Sequence, residues 1–190
     1  SWEVMGFLND FEKGPINEKP VLGPIEASTV AQYLADEEVF FFYSLISVKQ
    51  NFKFLHKLQN LNIPVERFAT IIHPTAVVSK FAQIGYGVCI QPFVSVGPNV
   101  RIGNFIQIFA QSLIGHGAIL EDYSYVANNA CIGASVHLKE GAYVGTNATT
   151  LENVKLGKWS LTGIGTVVLK DVDDFTKVVG NPARVIGEVK

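Results

Sequence analysis

The 190-residue chain carries a formal net charge of -2, and 48% of its residues are apolar. That balance excludes a nucleic-acid surface built on bulk positive charge, and no polybasic run of the kind that holds anionic membranes occurs. The most apolar run, Val39 to Ile46, falls far short of the roughly 20 residues that span a bilayer. Trp2 to Asp10 has neither the basic flank nor the apolar length of a secretory leader, and Cys89 and Cys131 stand apart without a CxxC. A reducing, cytoplasmic setting is therefore expected.

Residues 1–67 read as a small α/β domain. Val4 to Leu8 predicts a short strand, followed by a polar loop that ends in the turn Pro20-Val21-Leu22-Gly23-Pro24. Ser28 is placed as the cap of a helix that reaches Glu37, where Asp36, Glu37 and Glu38 oppose the helix dipole and stop it. Val39 to Ser44 is apolar throughout, as a buried parallel strand would be. Lys49 to Leu61 predicts a second helix with Phe52, Leu55 and Leu58 on one side, and Pro64-Val65 a last short strand. The alternation implies a parallel sheet. It opens without a glycine-rich strand-to-helix turn, so the domain is Rossmann-like but incomplete as it stands.

From Val78 to Val168 every sixth residue is aliphatic except Thr150 and Thr162. Two residues earlier, from Ala76 to Thr166, the row is small or β-branched throughout. Glycine follows the aliphatic position at 85, 97, 103, 115, 133, 145, 157 and 163, where a corner leaves no room for Cβ. A period of six fits neither a helix nor a lone strand, but it does fit a short strand and a turn, repeated. Three such faces make a triangular coil of about 18 residues, so residues 68–171 predict a parallel β-helix of about five coils. No hexad is interrupted by an insertion, so any ligand must be held by coil surfaces, ends or a neighbouring subunit. Residues 172–190 leave the repeat and predict a strand and turn that cap the open end.

Four histidines are candidates for chemistry. His56 reads as a helix-surface residue, His73 as a junction before Pro74, and His137 as an outward residue on a solvated face. His116 differs because Gly115 and Gly117 flank it, leaving its backbone and imidazole open to close approach. An imidazole ordinarily titrates near neutrality, which suits a general base for an amine or hydroxyl. His137 lies 21 residues beyond His116 rather than one coil, so no metal site is expected. No Ser-His-Asp grouping is identifiable, which favours direct transfer over a covalent intermediate, with corner amides to hold an oxyanion.

Five strings stand out beyond the hexad rule: Gly6-Phe7-Leu8-Asn9-Asp10, Lys19-Pro20-Val21-Leu22-Gly23, Ile71-Ile72-His73-Pro74-Thr75-Ala76, Ile114-Gly115-His116-Gly117 and Val179-Gly180-Asn181-Pro182-Ala183-Arg184. Together they resemble the left-handed β-helix sugar O- and N-acyltransferases, of the sialic-acid O-acetyltransferase and bacillosamine-pathway UDP-amino-sugar N-acetyltransferase type. The resemblance implies the left hand of the helix, a homotrimer, and acetyl-CoA in the groove between adjacent prisms. It implies His116 as general base, with Asn9, Asp10 and Gly23 contacting a sugar or nucleotide-sugar acceptor. It further implies Tyr125, Thr146, Gly163, Ile164 and Gly165 as coenzyme contacts. The chain departs from the family in three places. Gly117 stands where a carboxylate commonly follows the base, Tyr125 where a His is usual, and the glycine-rich first strand is not among these residues.

The expectation is acyl transfer from acetyl-CoA to an amino or hydroxyl group of a sugar or nucleotide-sugar. Two other readings stay open: a non-catalytic trimeric scaffold or sugar-binding protein, and an acetyltransferase for a small non-sugar acceptor.

Overall fold

The computed structural model describes residues 2–44 and 51–189. Its contacts divide the chain into two compact units, Ser1–Phe68 and Ala69–Lys190.

In the first unit, β1 (Phe7–Leu8) and β2 (Val21–Gly23) pair in parallel, with Phe7 opposite Val21 and Leu8 opposite Gly23. Helix α1 (Ala27–Leu34) follows, and α2 spans Asn51–Gln59. Several expected elements differ. The first strand is shorter than Val4 to Leu8, because Trp2 to Met5 are exposed and unpaired in the sheet. Ser28 does not cap α1: the N-cap is Glu26, and the Ser28 hydroxyl instead donates to the Glu26 carboxylate at 2.6 Å. Val39 to Ser44 does not form a buried strand. Only Phe41 makes a bridge, to Phe68, while Phe40 and Phe42 remain exposed. Among the described residues the β1-β2 sheet has two strands, and this run joins the chain through the single Phe41–Phe68 bridge rather than through that sheet. Arg67 holds this segment, donating to the Leu34, Asp36 and Val39 carbonyls and lying over the Phe40 ring. Val65–Arg67 is a 3-10 turn rather than a strand, since the Phe68 and Arg67 amides bond back to Val65 and Pro64. Part of the expected Lys49 to Leu61 helix lies outside the described residues.

The second unit is a solenoid of seventeen two-residue strands, from β3 (Ile71–Ile72) to β19 (Val167–Val168). Strands three apart in sequence pair in parallel on three faces, each an 18-residue step: Ser95 with Leu113, Leu113 with Cys131, Ile119 with His137, and Tyr125 with Tyr143. The repeat begins one strand earlier than Ala76, at Ile71. Along most of the prism the first residue of each strand faces outward and the second is buried, as strand alternation requires. Ile114, Leu120, Val126, Ile132, Leu138 and Val144 are at most 1% exposed and form the axial core. Burial of each such side chain contributes about 1.5–3 kcal/mol.

Corners follow two rules. The glycine after the aliphatic residue exists because coils touch there: a Cβ on Gly115 would come within 2.7 Å of the Ala134 nitrogen, and one on Gly133 within 2.8 Å of the Thr150 carbonyl. Two residues further on, every sixth residue from Gly87 to Gly165 has positive φ. Ten of those fourteen are not glycine, among them Phe93, Asn99, Tyr123, Ser135 and Trp159, so this backbone is imposed by the coil rather than by residue choice.

The prism ends in β20 (Thr176–Val179), which extends one face by pairing with Leu161–Thr162. A second strand, β21 (Arg184–Glu188), returns antiparallel to it, so the expected strand and turn are in fact a hairpin. No helix among the described residues is long and apolar enough to cross a membrane.

Candidate active site

His116 sits on the corner between β10 (Leu113–Ile114) and β11 (Ile119–Leu120), with its side chain exposed. Its backbone is gripped from both sides. Below, a Cβ on Gly97 would lie 2.8 Å from the His116 nitrogen, so only glycine lets the lower coil come this close. Above, the Ser135 amide donates to the His116 carbonyl at 2.9 Å. The imidazole therefore projects from a fixed main chain. Among the described residues it has no hydrogen-bond partner, and its freedom suits a group that must meet a ligand.

Nearby carboxylates are committed elsewhere. Glu121 Oε1 lies 2.6 Å from His137 Nε2, and its Oε2 accepts the Glu140 amide at 3.0 Å. Asp122 accepts the Asn104 amide at 2.7 Å and, through both oxygens, the Asn104 side chain. His137 faces outward as expected, but it is half-buried and paired rather than simply solvated. Sequence inspection missed that pair, although the 18-residue step sets His137 beside Ile119, two residues before Glu121. The His56 and His73 rings bond locally, to Asn60 and Thr75.

Thr146, Gly163, Ile164 and Gly165 do come together. Thr146 lies one coil below Ile164, and its carbonyl accepts the Gly165 amide at 2.8 Å. Ile164 protrudes at 79% exposure and Gly165 faces open space, so this corner presents bare backbone beside one aliphatic side chain. It is a different corner from that of His116; the whole face bearing Leu113 lies between them. Tyr125 is on the next face, stacked on Tyr143 with centroids 4.6 Å apart and contacting Phe109. Burial, then the neighbouring Tyr143, push its phenol up to about 12, so it remains a hydrogen-bond donor at any physiological pH.

In the first unit, Asn9, Asp10 and Gly23 also converge. The Asn9 amide donates to the Gly23 carbonyl at 2.9 Å, and Asp10 Oδ1 accepts the Ile25 amide at 2.8 Å. The other Asp10 oxygen pairs with Lys57, which together with the Ile25 contact holds its carboxyl below the usual range. The three residues stand at the carboxyl ends of parallel strands, where α/β sheets commonly bind ligands. Among the described residues no group of three or more His, Cys, Asp or Glu could hold a metal ion.

Residues 68–185 match the family described as GMPPB C-terminal domain, which covers most of the chain. The chain belongs to that family. A curated relative, GDP-perosamine N-acetyltransferase of Escherichia coli O157:H7, is 38% identical over 61 residues, a stretch spanning 32% of this chain and 28% of that relative. Three solved structures share the fold. Perosamine N-acetyltransferase from Caulobacter crescentus, solved with CoA and GDP-perosamine, aligns over 91% of this chain and 80% of its own at 22% identity and a TM-score of 0.78. The acetyltransferase domain of PglB from Neisseria gonorrhoeae aligns over 95% and 86% at 22% identity, with a TM-score of 0.81. WeeI from Acinetobacter baumannii aligns over 95% and 85% at 24% identity, with a TM-score of 0.77. As in these hexapeptide-repeat proteins, the second unit is a left-handed parallel β-helix.

Proposed function

We propose that the chain is an acetyltransferase that moves an acetyl group from acetyl-CoA to an amino or hydroxyl group of a nucleotide-sugar, with His116 as general base. The observation that carries this reading is His116 itself: an exposed imidazole without a hydrogen-bond partner among the described residues, on a main chain clamped between Gly97 and Ser135. The 38% identity to a GDP-perosamine N-acetyltransferase and the shared fold of proteins solved with CoA support the substrate class.

His116 takes the proton as the acceptor's nitrogen or oxygen attacks the thioester carbonyl, and returns it to the coenzyme A thiolate that leaves as the carbon–sulfur bond breaks. The base need move no further than a hydrogen bond in either step. Thr146, Gly163, Ile164 and Gly165 are read as the coenzyme surface, with Tyr125 as a neutral donor. Asn9, Asp10 and Gly23 are read as acceptor contacts.

A groove between two copies of the prism would join the two corners that one copy keeps apart. The face between them supports that arrangement. Its outward residues are Val77, Ser95, Leu113, Cys131, Thr149 and Val167, none of them charged, whereas the next face presents Arg101, His137 and Lys155. A homotrimer in the cytoplasm is the assembly proposed.

Calorimetric titration with acetyl-CoA, run beside light scattering, tests the reading. Saturable binding to a trimer is expected, weakened several-fold in Ile164→Ala. A monomer with no heat of binding at millimolar acetyl-CoA would instead identify a non-catalytic protein.

A further inference from the structure

We infer that Ser135, one coil above the active-site corner, is the positioning residue that orients the His116 imidazole. This rests on the reading of His116 as the base. A general base needs its ring held in one tautomer, with the second nitrogen bonded, so that the first is presented to the acceptor. Within the chain the two nearest carboxylates in sequence cannot do this, because Glu121 is taken by His137 and Asp122 by Asn104. The adjacent coil supplies a different group.

Ser135 stands one 18-residue step above Gly117, and its amide already donates to the His116 carbonyl at 2.9 Å. Its hydroxyl has no partner among the described residues. The residue between that hydroxyl and the histidine is Gly117, and a Cβ placed there would meet only Ser135 Oγ, at 3.2 Å. Backbone conformation does not require glycine at this point, since ten residues with side chains hold the same positive φ elsewhere in the coil. Gly141 in the same row is demanded by Trp159, whose ring a Cβ would strike at 2.2 Å; nothing comparable constrains Gly117. What Gly117 does is leave the Ser135 hydroxyl uncovered by a neighbouring methyl. No bond joins the two side chains in the resting structure; when a ligand orders the imidazole, a rotation of both side chains lets the hydroxyl accept a ring N–H, which fixes the tautomer and persists when the ring becomes imidazolium.

The test uses the full chain with acetyl-CoA and GDP-perosamine as probes, reading thiol release, together with long-range proton–nitrogen NMR of the His116 ring. Ser135→Ala is expected to lower kcat about tenfold with KM for acetyl-CoA unchanged, and to turn one ring tautomer into a mixture. Ser135→Asn, which suits the positive φ and keeps an acceptor oxygen, should recover most of both. Gly117→Ala should crowd the hydroxyl and reproduce the Ser135→Ala behaviour in a folded protein. Wild-type kcat and an unchanged tautomer in Ser135→Ala would overturn the inference. If the wild type shows no transfer to this acceptor, the ring spectrum still decides the contact, and only the acceptor class or the function is in question.

Discussion

Nε2 of His137 lies 2.6 Å from Oε1 of Glu121, which commits the carboxylate nearest in sequence beyond His116 to a different imidazole. The His137 and Glu121 side chains are 30% and 42% exposed, so the pair resembles other surface ion pairs in strength. His137→Gln is expected to cost at most about 1 kcal/mol in urea denaturation and to leave kcat within about twofold. A large loss of kcat would place His137 in the chemistry.

Gly141 and Gly165 share the positive-φ row but differ in surroundings. Alanine at either position incurs the left-handed backbone cost, about 1–2 kcal/mol. At Gly141 the methyl would also strike the Trp159 ring, which is itself nearly buried. Gly141→Ala should therefore destabilise by about 1–3 kcal/mol more than Gly165→Ala, measured by the same denaturation series.

The Tyr125 phenol, pushed up to about 12, lies above its ordinary value of 10. Between those values the unfolded chain has lost a proton that the folded chain retains, so the fold loses stability as pH rises from 10 to 12 and is unaffected below 10. Urea midpoints at pH 9 and pH 11 should differ more for the wild type than for Tyr125→Phe. An equal drop in both would show that Tyr125 ionises normally.

Thr162 is fully buried on the inner side of the last coil, and its hydroxyl has no hydrogen-bond partner among the described residues; the same holds for Ser160 and Thr166 nearby. A buried, unbonded hydroxyl costs about 1–3 kcal/mol. Thr162→Val keeps the shape and removes that cost, so its Tm should rise. A fall would mean that the hydroxyl is bonded in solution.

The solenoid was legible because its physics is local and repeated: Ile114, Leu120 and Leu138 fall in one phase and all line the axis. The exposed corner position of His116 was legible from its glycine neighbours. The meaning of Gly117 was not, since it depends on Ser135 a full coil away, and the commitment of Glu121 depends on His137 in the next coil. The first unit was read least well. Val39 to Ser44 has strand composition, but a strand needs a continuous partner edge, and among the described residues this segment meets only the Phe41–Phe68 bridge. The positive-φ row left no compositional trace, because Phe, Tyr, Trp, Asn and Ser all occupy it.

The most direct measurement is thiol release from acetyl-CoA with GDP-perosamine, comparing wild type with His116→Gln. Glutamine keeps the size and polarity of the side chain and removes the base. The wild type should turn over, and the variant should bind acetyl-CoA with unchanged affinity while losing about 100-fold or more in kcat. Full activity in His116→Gln would contradict the mechanism at its centre.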